Sequence, residues 1–157
     1  MKRMVDIKVV LDSQCPDPKV TIRARERNEQ VVHIIEAIET VSENDYPVIP
    51  GFDEGSAVLL SQRDIIRVYT DGRKIVLQTQ EHVYTTNKTL AQLEELLNPG
   101  RFVRISKSEI ANLYMVRRFD FNNAGTIGIT YENGDVSWVA RSRVKQIKEL
   151  LKKDLPY

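Results

Sequence analysis

The chain has one cysteine, Cys15, and two histidines, His33 and His82, among 157 residues. A single thiol excludes an intramolecular disulfide framework and is compatible with a reducing compartment. One Cys and two separated His cannot assemble a usual four-ligand structural zinc site. Cys15 sits between Asp12 and Asp17, whose charges disfavour a reactive thiolate. Glycine is scarce, and Gly51, Gly55 and Gly72 follow no strand-to-helix phosphate-loop pattern. No apolar run approaches the ~20 residues needed to span a bilayer. The start, Met1-Lys2-Arg3-Met4-Val5-Asp6, has basic residues but no apolar stretch behind them, so no signal peptide is expected. His33 within a predicted helix and His82 at a strand start read as structural or surface residues. Asp53-Glu54 and Glu94-Glu95 read as solvated acids. With no nucleophile, metal cluster or matched acid–base pair, neither an enzyme nor a cofactor is expected.

What is present suits a soluble globular chain: 41% hydrophobic and 29% charged residues, enough to bury a core. The net charge of +1 hides an asymmetry. Residues 1–100 carry 12 Lys/Arg and 16 Asp/Glu, a balance of −4, whereas residues 101–157 carry 11 and 6, a balance of +5. A basic C-terminal part suits a polyanionic partner, although a solvated basic face is common.

Hydrophobic periodicity divides the chain. Val5–Leu11 and Val20–Ala24 read as strands around a Pro-containing turn. Val31, Ile34, Ile35, Ile38 and Val41 fall on one helical stripe, with Asn28 placed as N-cap and Glu29 near the positive end. Residues 1–46 therefore read as a strand-strand-helix extension, with a polar boundary at Ser42–Pro47. From Val48 the chain turns β-rich. Strands are predicted at Ala57–Leu60, Ile65–Thr70, Lys74–Thr79, His82–Thr86, Val116–Phe121, Thr126–Tyr131 and Val136–Ala140. Asp71-Gly72 reads as a tight connection and Asn133-Gly134 as a hairpin turn with positive φ at both central positions. Two helices are expected here. One is announced by the capping box Thr89-Leu90-Ala91-Gln92 and stopped at Asn98-Pro99-Gly100. The last carries Val144, Ile147, Leu150 and Leu151 on one side and lysines elsewhere.

Two basic stretches could carry function. Arg101-Phe102-Val103-Arg104-Ile105-Ser106-Lys107-Ser108 interleaves basic, apolar and hydroxyl residues; Lys and Arg would supply charge to phosphates while Ser hydroxyls fix register. Arg141-Ser142-Arg143 lies where a strand hands over to the last helix, and its arginines could reach phosphates or guanine edges. The blander reading makes Phe102, Val103 and Ile105 core and the basic residues solubilising. Composition and spacing leave the two evenly balanced.

The order of segments tips the balance. Ile65-Ile66-Arg67-Val68-Tyr69, Lys74–Thr79, Thr89–Leu97, the run Phe102–Leu113, the Asn133-Gly134 hairpin and Val139–Val144 together resemble the LytTR DNA-binding domain over roughly residues 48–152. The run F-x-R-I-S-K-S-x-I-x-N is its most specific part. The resemblance implies an α+β, β-rich fold of small, mostly antiparallel sheets with two helices over residues 47–157. It implies a cytoplasmic transcriptional regulator binding double-stranded DNA through loops in successive major grooves, as a homodimer on repeated promoter sites. Carried over by position, Arg73 with Lys74, the turn Ser106-Lys107-Ser108, and Arg141-Ser142-Arg143 are the contact regions. Arg104 is expected as a phosphate contact or structural pair. Ser142 stands where a basic residue is usual, which leaves Arg141 or Arg143 as the reader there. The roughly 45 preceding residues are too few for a receiver domain, so the chain resembles the stand-alone regulators, for which a membrane-protein antagonist encoded nearby is implied. The competing expectation is a protein-interaction module that docks a membrane partner without binding DNA.

Overall fold

The computed structural model describes residues 5–43, 46–122 and 125–152, the side chains of residues 42 and 43 aside. The chain divides into two compact units, residues 1–39 and 40–157. No described helix is long and apolar enough to cross a membrane.

In the first unit the helix expected from periodicity begins as predicted. Helix α1 spans Glu29–Glu43, and the Val31 N–H donates to Asn28 Oδ1 at 3.1 Å, the N-cap bond. The turn before it also forms, with the Cys15 N–H donating to Asp12 O and the Gln14 N–H to Asp12 Oδ1. The two expected strands do not form: residues 5–11 and 20–24 carry no strand pairing. Alternating apolar residues confer β propensity, but a strand holds only when a partner takes its N–H and C=O groups. Ile7, Val9, Val10 and Leu11 stay 73–93% exposed.

Among the described residues, the second unit has ten strands in two antiparallel sheets. β1 (Ile49–Asp53), β2 (Ser56–Leu60), β3 (Arg67–Asp71), β4 (Lys74–Gln78), β5 (Val83–Thr86), β6 (Phe102–Ser106) and β7 (Glu109–Asn112) form one sheet in the order β2-β1-β5-β4-β3-β7-β6. β8 (Val116–Phe121), β9 (Ile127–Tyr131) and β10 (Val136–Val139) form the other, in the order β10-β9-β8. Helix α2 (Leu90–Leu96) joins β5 to β6, and α3 (Val144–Lys152) follows β10. The α2 capping box is complete: Thr89 Oγ1 accepts the Gln92 N–H and Gln92 Oε1 accepts the Thr89 N–H.

Period-two alternation sends the large sheet's side chains into two cores. On one side Ile49, Leu60, Val68, Leu77, Phe102 and Ile110 pack with Leu90, Leu93 and Leu97. On the other, Val103, Ile105, Ala111 and Leu113 pack with Ile127, Ile129, Tyr131 and Val139 of the small sheet and with Val144 and Ile147 of α3. The β6–β7 hairpin is thus a wall shared by both cores. Alternation holds through Ile105, which is fully buried beside Val103, and a bulge between Arg104 and Ser106 shifts the register so that Ser106 pairs with Glu109. Asn112, at the end of this hairpin, is fully buried too. Its Nδ2 donates to Ile65 O at 2.8 Å, and its Oδ1 accepts the Tyr114 N–H at 3.0 Å. The amide that closes the sequence signature is therefore a cap for neighbouring backbone.

Two turns decide what the sheet presents. Gly72, at φ +61°, occupies the first central position of the β3–β4 turn, the geometry in which glycine leads a two-residue hairpin loop and Arg73 stands second. At Asn133-Gly134 the hairpin forms, but only Gly134 has positive φ, at +89°. Its N–H donates to Tyr131 O, and the Tyr131 N–H donates to Asp135 O. Three residues therefore fill the loop, so Asn133 stays at negative φ and the two-residue turn with positive φ at both positions does not apply.

Candidate nucleic acid interface

Antiparallel register gathers separate loops at one end of the large sheet. Tyr69 pairs with Glu109 and Asp71 with Lys74, so the β3–β4 turn and the β6–β7 turn leave at the same end. The pairing of Ile75 with Thr86 brings the β5–α2 loop there as well. The acidic Asp53-Glu54 turn, by contrast, lies at the opposite end, because Phe52 pairs with Thr85 on antiparallel strands.

The Ser106-Lys107-Ser108 turn is braced from several sides. The Ser108 N–H donates to Ser106 Oγ at 3.2 Å, and the two hydroxyls are 3.3 Å apart. Ser108 O accepts the Thr70 N–H at 2.9 Å, which ties the turn to β3 just before Gly72. Arg104 donates from Nε to Ser106 O at 2.7 Å and from Nη2 to Lys107 O at 2.6 Å, and pairs through Nη1 with Glu94 at 3.2 Å. Its guanidinium is occupied with holding the turn, whereas Lys107 and Ser108 are exposed.

Arg73, Lys74, Arg104 and Lys107 line one groove of about 740 Å³. Lys88, which sequence reasoning passed over, lines it too, and none of its described lining residues is acidic. The only sequence signal for Lys88 was its position just before the capping box, and a lone lysine there has no pattern to distinguish it. Arg141-Ser142-Arg143 does not line this groove. It forms a 3-10 turn between β10 and α3, with Arg141 and Ser142 exposed and Arg143 half-buried. The Ala140 N–H donates to Ile105 O at 2.8 Å, which fixes that junction to β6 beside the serine turn. Arg101, also in the basic run, is buried, with its guanidinium 4.4 Å from the Tyr114 ring centroid.

Behind the turns, a polar network joins the two sheets. Arg67 donates to Gln78 Oε1, to Glu109 Oε1 at 3.1 Å and to Ser137 Oγ at 3.0 Å, and it pairs with Asp135 at 3.4 Å. Gln78 Nε2 donates to Asp135 Oδ2 at 2.6 Å, and the Tyr131 hydroxyl donates to Glu109 Oε2 at 3.0 Å. The Arg67 guanidinium also lies 4.5 Å from the Tyr69 ring centroid. Burial, and next the Glu109 carboxylate, push the Tyr131 phenol far above its ordinary range. The raised folded-state value means that the fold favours the protonated phenol. Its stabilisation is complete below the ordinary tyrosine value of about 10 and is lost as pH rises through the folded value. Denaturant melts above about pH 10 should therefore show stability falling less steeply in Tyr131→Phe than in the native chain; equal slopes would remove Tyr131 as a contributor.

Comparison with known proteins agrees with this architecture. Residues 55–152 match the family model described as the LytTr DNA-binding domain. An uncharacterised HTH-type transcriptional regulator of Staphylococcus aureus strain MSSA476 is 24% identical over 148 residues, covering 94% of this chain and 99% of the relative. A counterpart in strain MW2 shows the same identity and coverage. A solved LytTr DNA-binding domain from Bacillus cereus superposes with a TM-score of 0.64 at 19% identity, covering 67% of this chain and 96% of that one.

Proposed function

Since the chain belongs to the LytTR family of DNA-binding domains, we propose that it is a transcriptional regulator that reads duplex DNA through the loops gathered at one end of its large sheet. The observation that carries this reading is the common placement of Arg73, Lys74 and Lys107 along one groove with no acidic side chain among its described lining residues. Lys107 and Arg73 stand at turn tips, where a side chain can enter a major groove while neighbouring cations meet phosphates. Arg104 acts through the turn it holds, as a positioning residue. Ser106 and Ser108 fix the turn and offer hydroxyls to phosphate oxygens. At the junction between β10 and α3, Arg141 is the better candidate for a base contact because it is exposed, and the half-buried Arg143 sits closer to the helix. Ser142 supplies a shorter, uncharged donor between them.

In this reading two protomers occupy adjacent repeats in a promoter, and such a partner places the protein in the cytoplasm. The exposed apolar side chains of residues 7–11 offer a surface for protomer pairing, or for the membrane antagonist that stand-alone regulators of this type imply. Solution mass with and without upstream DNA tests the pairing. The contact assignment is tested by Lys107→Ala. Loss of a base contact should weaken binding to the gene's own upstream duplex by about 1–3 kcal/mol and relax the preference at one base position. Unchanged affinity and unchanged preference would remove Lys107 from the interface.

A further inference from the structure

Lys88 adds a contact that neither of the basic sequence stretches contains. It lies in the loop Asn87–Thr89 between β5 and α2, and its N–H donates to Thr86 Oγ1 at 3.3 Å. Thr86 is paired with Ile75, immediately after Lys74, so the loop and the β3–β4 turn are adjacent through a strand pairing. Lys88 then faces the same groove as Arg73, Lys74 and Lys107. Its side chain is half-buried, as expected of a lysine whose stem lies along a wall while its ammonium stays at the opening. No ion-pair partner for Lys88 occurs among the described residues. The neighbouring Arg104, by contrast, is compensated by Glu94. A concave surface that collects uncompensated ammonium and guanidinium groups from separate loops has the chemistry of a phosphodiester track. Lys88 reaches it from the β5–α2 loop, and Arg73 and Lys107 from the two hairpin turns.

We infer that Lys88 is a backbone-phosphate contact, and that the DNA strand passes through this groove between the β5–α2 loop and the two hairpin turns. The inference rests on the DNA-binding reading above. A phosphate contact carries no sequence information, so it should act equally on every duplex.

The test uses the full chain, the duplex upstream of its own gene and a scrambled duplex of equal length, with polarisation read across a salt series. Lys88→Ala should weaken both duplexes by a similar factor, roughly five- to tenfold at moderate salt, and should reduce the slope of log affinity against log salt by about one. Lys88→Arg should restore both, because the positive charge is what the site uses. The exposed Lys148 of α3 serves as the control, and Lys148→Ala should leave both readings unchanged. Equal slopes and affinities for Lys88→Ala and the native chain would overturn the assignment. Loss on the upstream duplex alone would also overturn it, by making Lys88 a base reader. Failure of the native chain to bind either duplex would instead defeat the DNA-binding reading, and the phosphate track with it.

Discussion

Raising the salt from about 50 to about 200 mM should weaken duplex binding by roughly a thousandfold. Arg73, Lys74, Lys88, Lys107, Arg141 and Arg143 have no ion-pair partner among the described residues. If each displaces about one condensed counterion from the duplex, whether it meets a phosphate or enters the groove beside one, the slope is near −0.9 per cation, or about −5 in all. A fourfold rise in salt then multiplies through that exponent. The size of this effect comes from placement, since the net charge of the whole chain is only +1. Arg104 is left out of the sum because Glu94 and two carbonyls already engage its guanidinium. Titrations at several salt concentrations on one duplex measure the slope directly. A slope near zero would mean that these side chains do not meet phosphates.

Arg67→Met should destabilise the second unit by about 3 kcal/mol, enough to lower its melting temperature by more than about 10 °C. The substitution keeps much of the apolar volume but removes the cation. Glu109, whose side chain is 12% exposed, then keeps its charge in a poorly solvated place with only the Tyr131 hydroxyl to stabilise it. Asp135 matters less, because its side chain is 42% exposed and water can replace the lost partner. The same change takes a donor from Ser137 and one from Gln78, so the Gln78–Asp135 and Tyr131–Glu109 hydrogen bonds are what remains of the network between the sheets. A double-mutant cycle with Glu109→Gln separates the contributions. In the Arg67→Met background the second substitution should cost little, because the stranded charge has been neutralised. Additive losses would show that the two side chains act independently.

The two effects arise from residues that differ in how readable they were. Thr89 and Gln92 announced α2 because a capping box is a local pattern with a local cause. Val116–Phe121 was delimited correctly for a similar reason. β1 was missed, since Pro50 and Gly51 look like a loop. It survives because pairing with β5 is confined to Phe52, so the absent N–H of Pro50 falls outside that ladder. Gly51 is needed there: a Cβ would come within 2.8 Å of Tyr84 Cβ. The strands expected at Val5–Leu11 and Val20–Ala24 failed the other way, with the right pattern but no partner.

The site divides along the same line. Arg73, Lys74, Lys107 and Arg141–Arg143 were named from the order of segments, since turns and strand ends can be located along a chain. Lys88 could not be, because its significance depends on the register that sets Thr86 opposite Ile75. Gln62 was equally hidden. It is buried in the link between β2 and β3, where Nε2 donates to Pro47 O and Leu96 O while Oε1 accepts the Asn98 N–H. Its partners lie 15 to 36 residues away, and no local spacing connects them. The Arg67 network, drawn from five strands and the β9–β10 loop, is legible only once both sheets are formed.

The central claim is that this sheet end reads sequence as well as charge. The most direct measurement is competition: the full chain bound to labelled upstream duplex, displaced by unlabelled duplex of the same sequence or of scrambled sequence. The scrambled duplex should need at least roughly a thousandfold excess over the matched one at physiological salt. Equal displacement by the two would contradict it, leaving a surface that attracts polyanions without reading them.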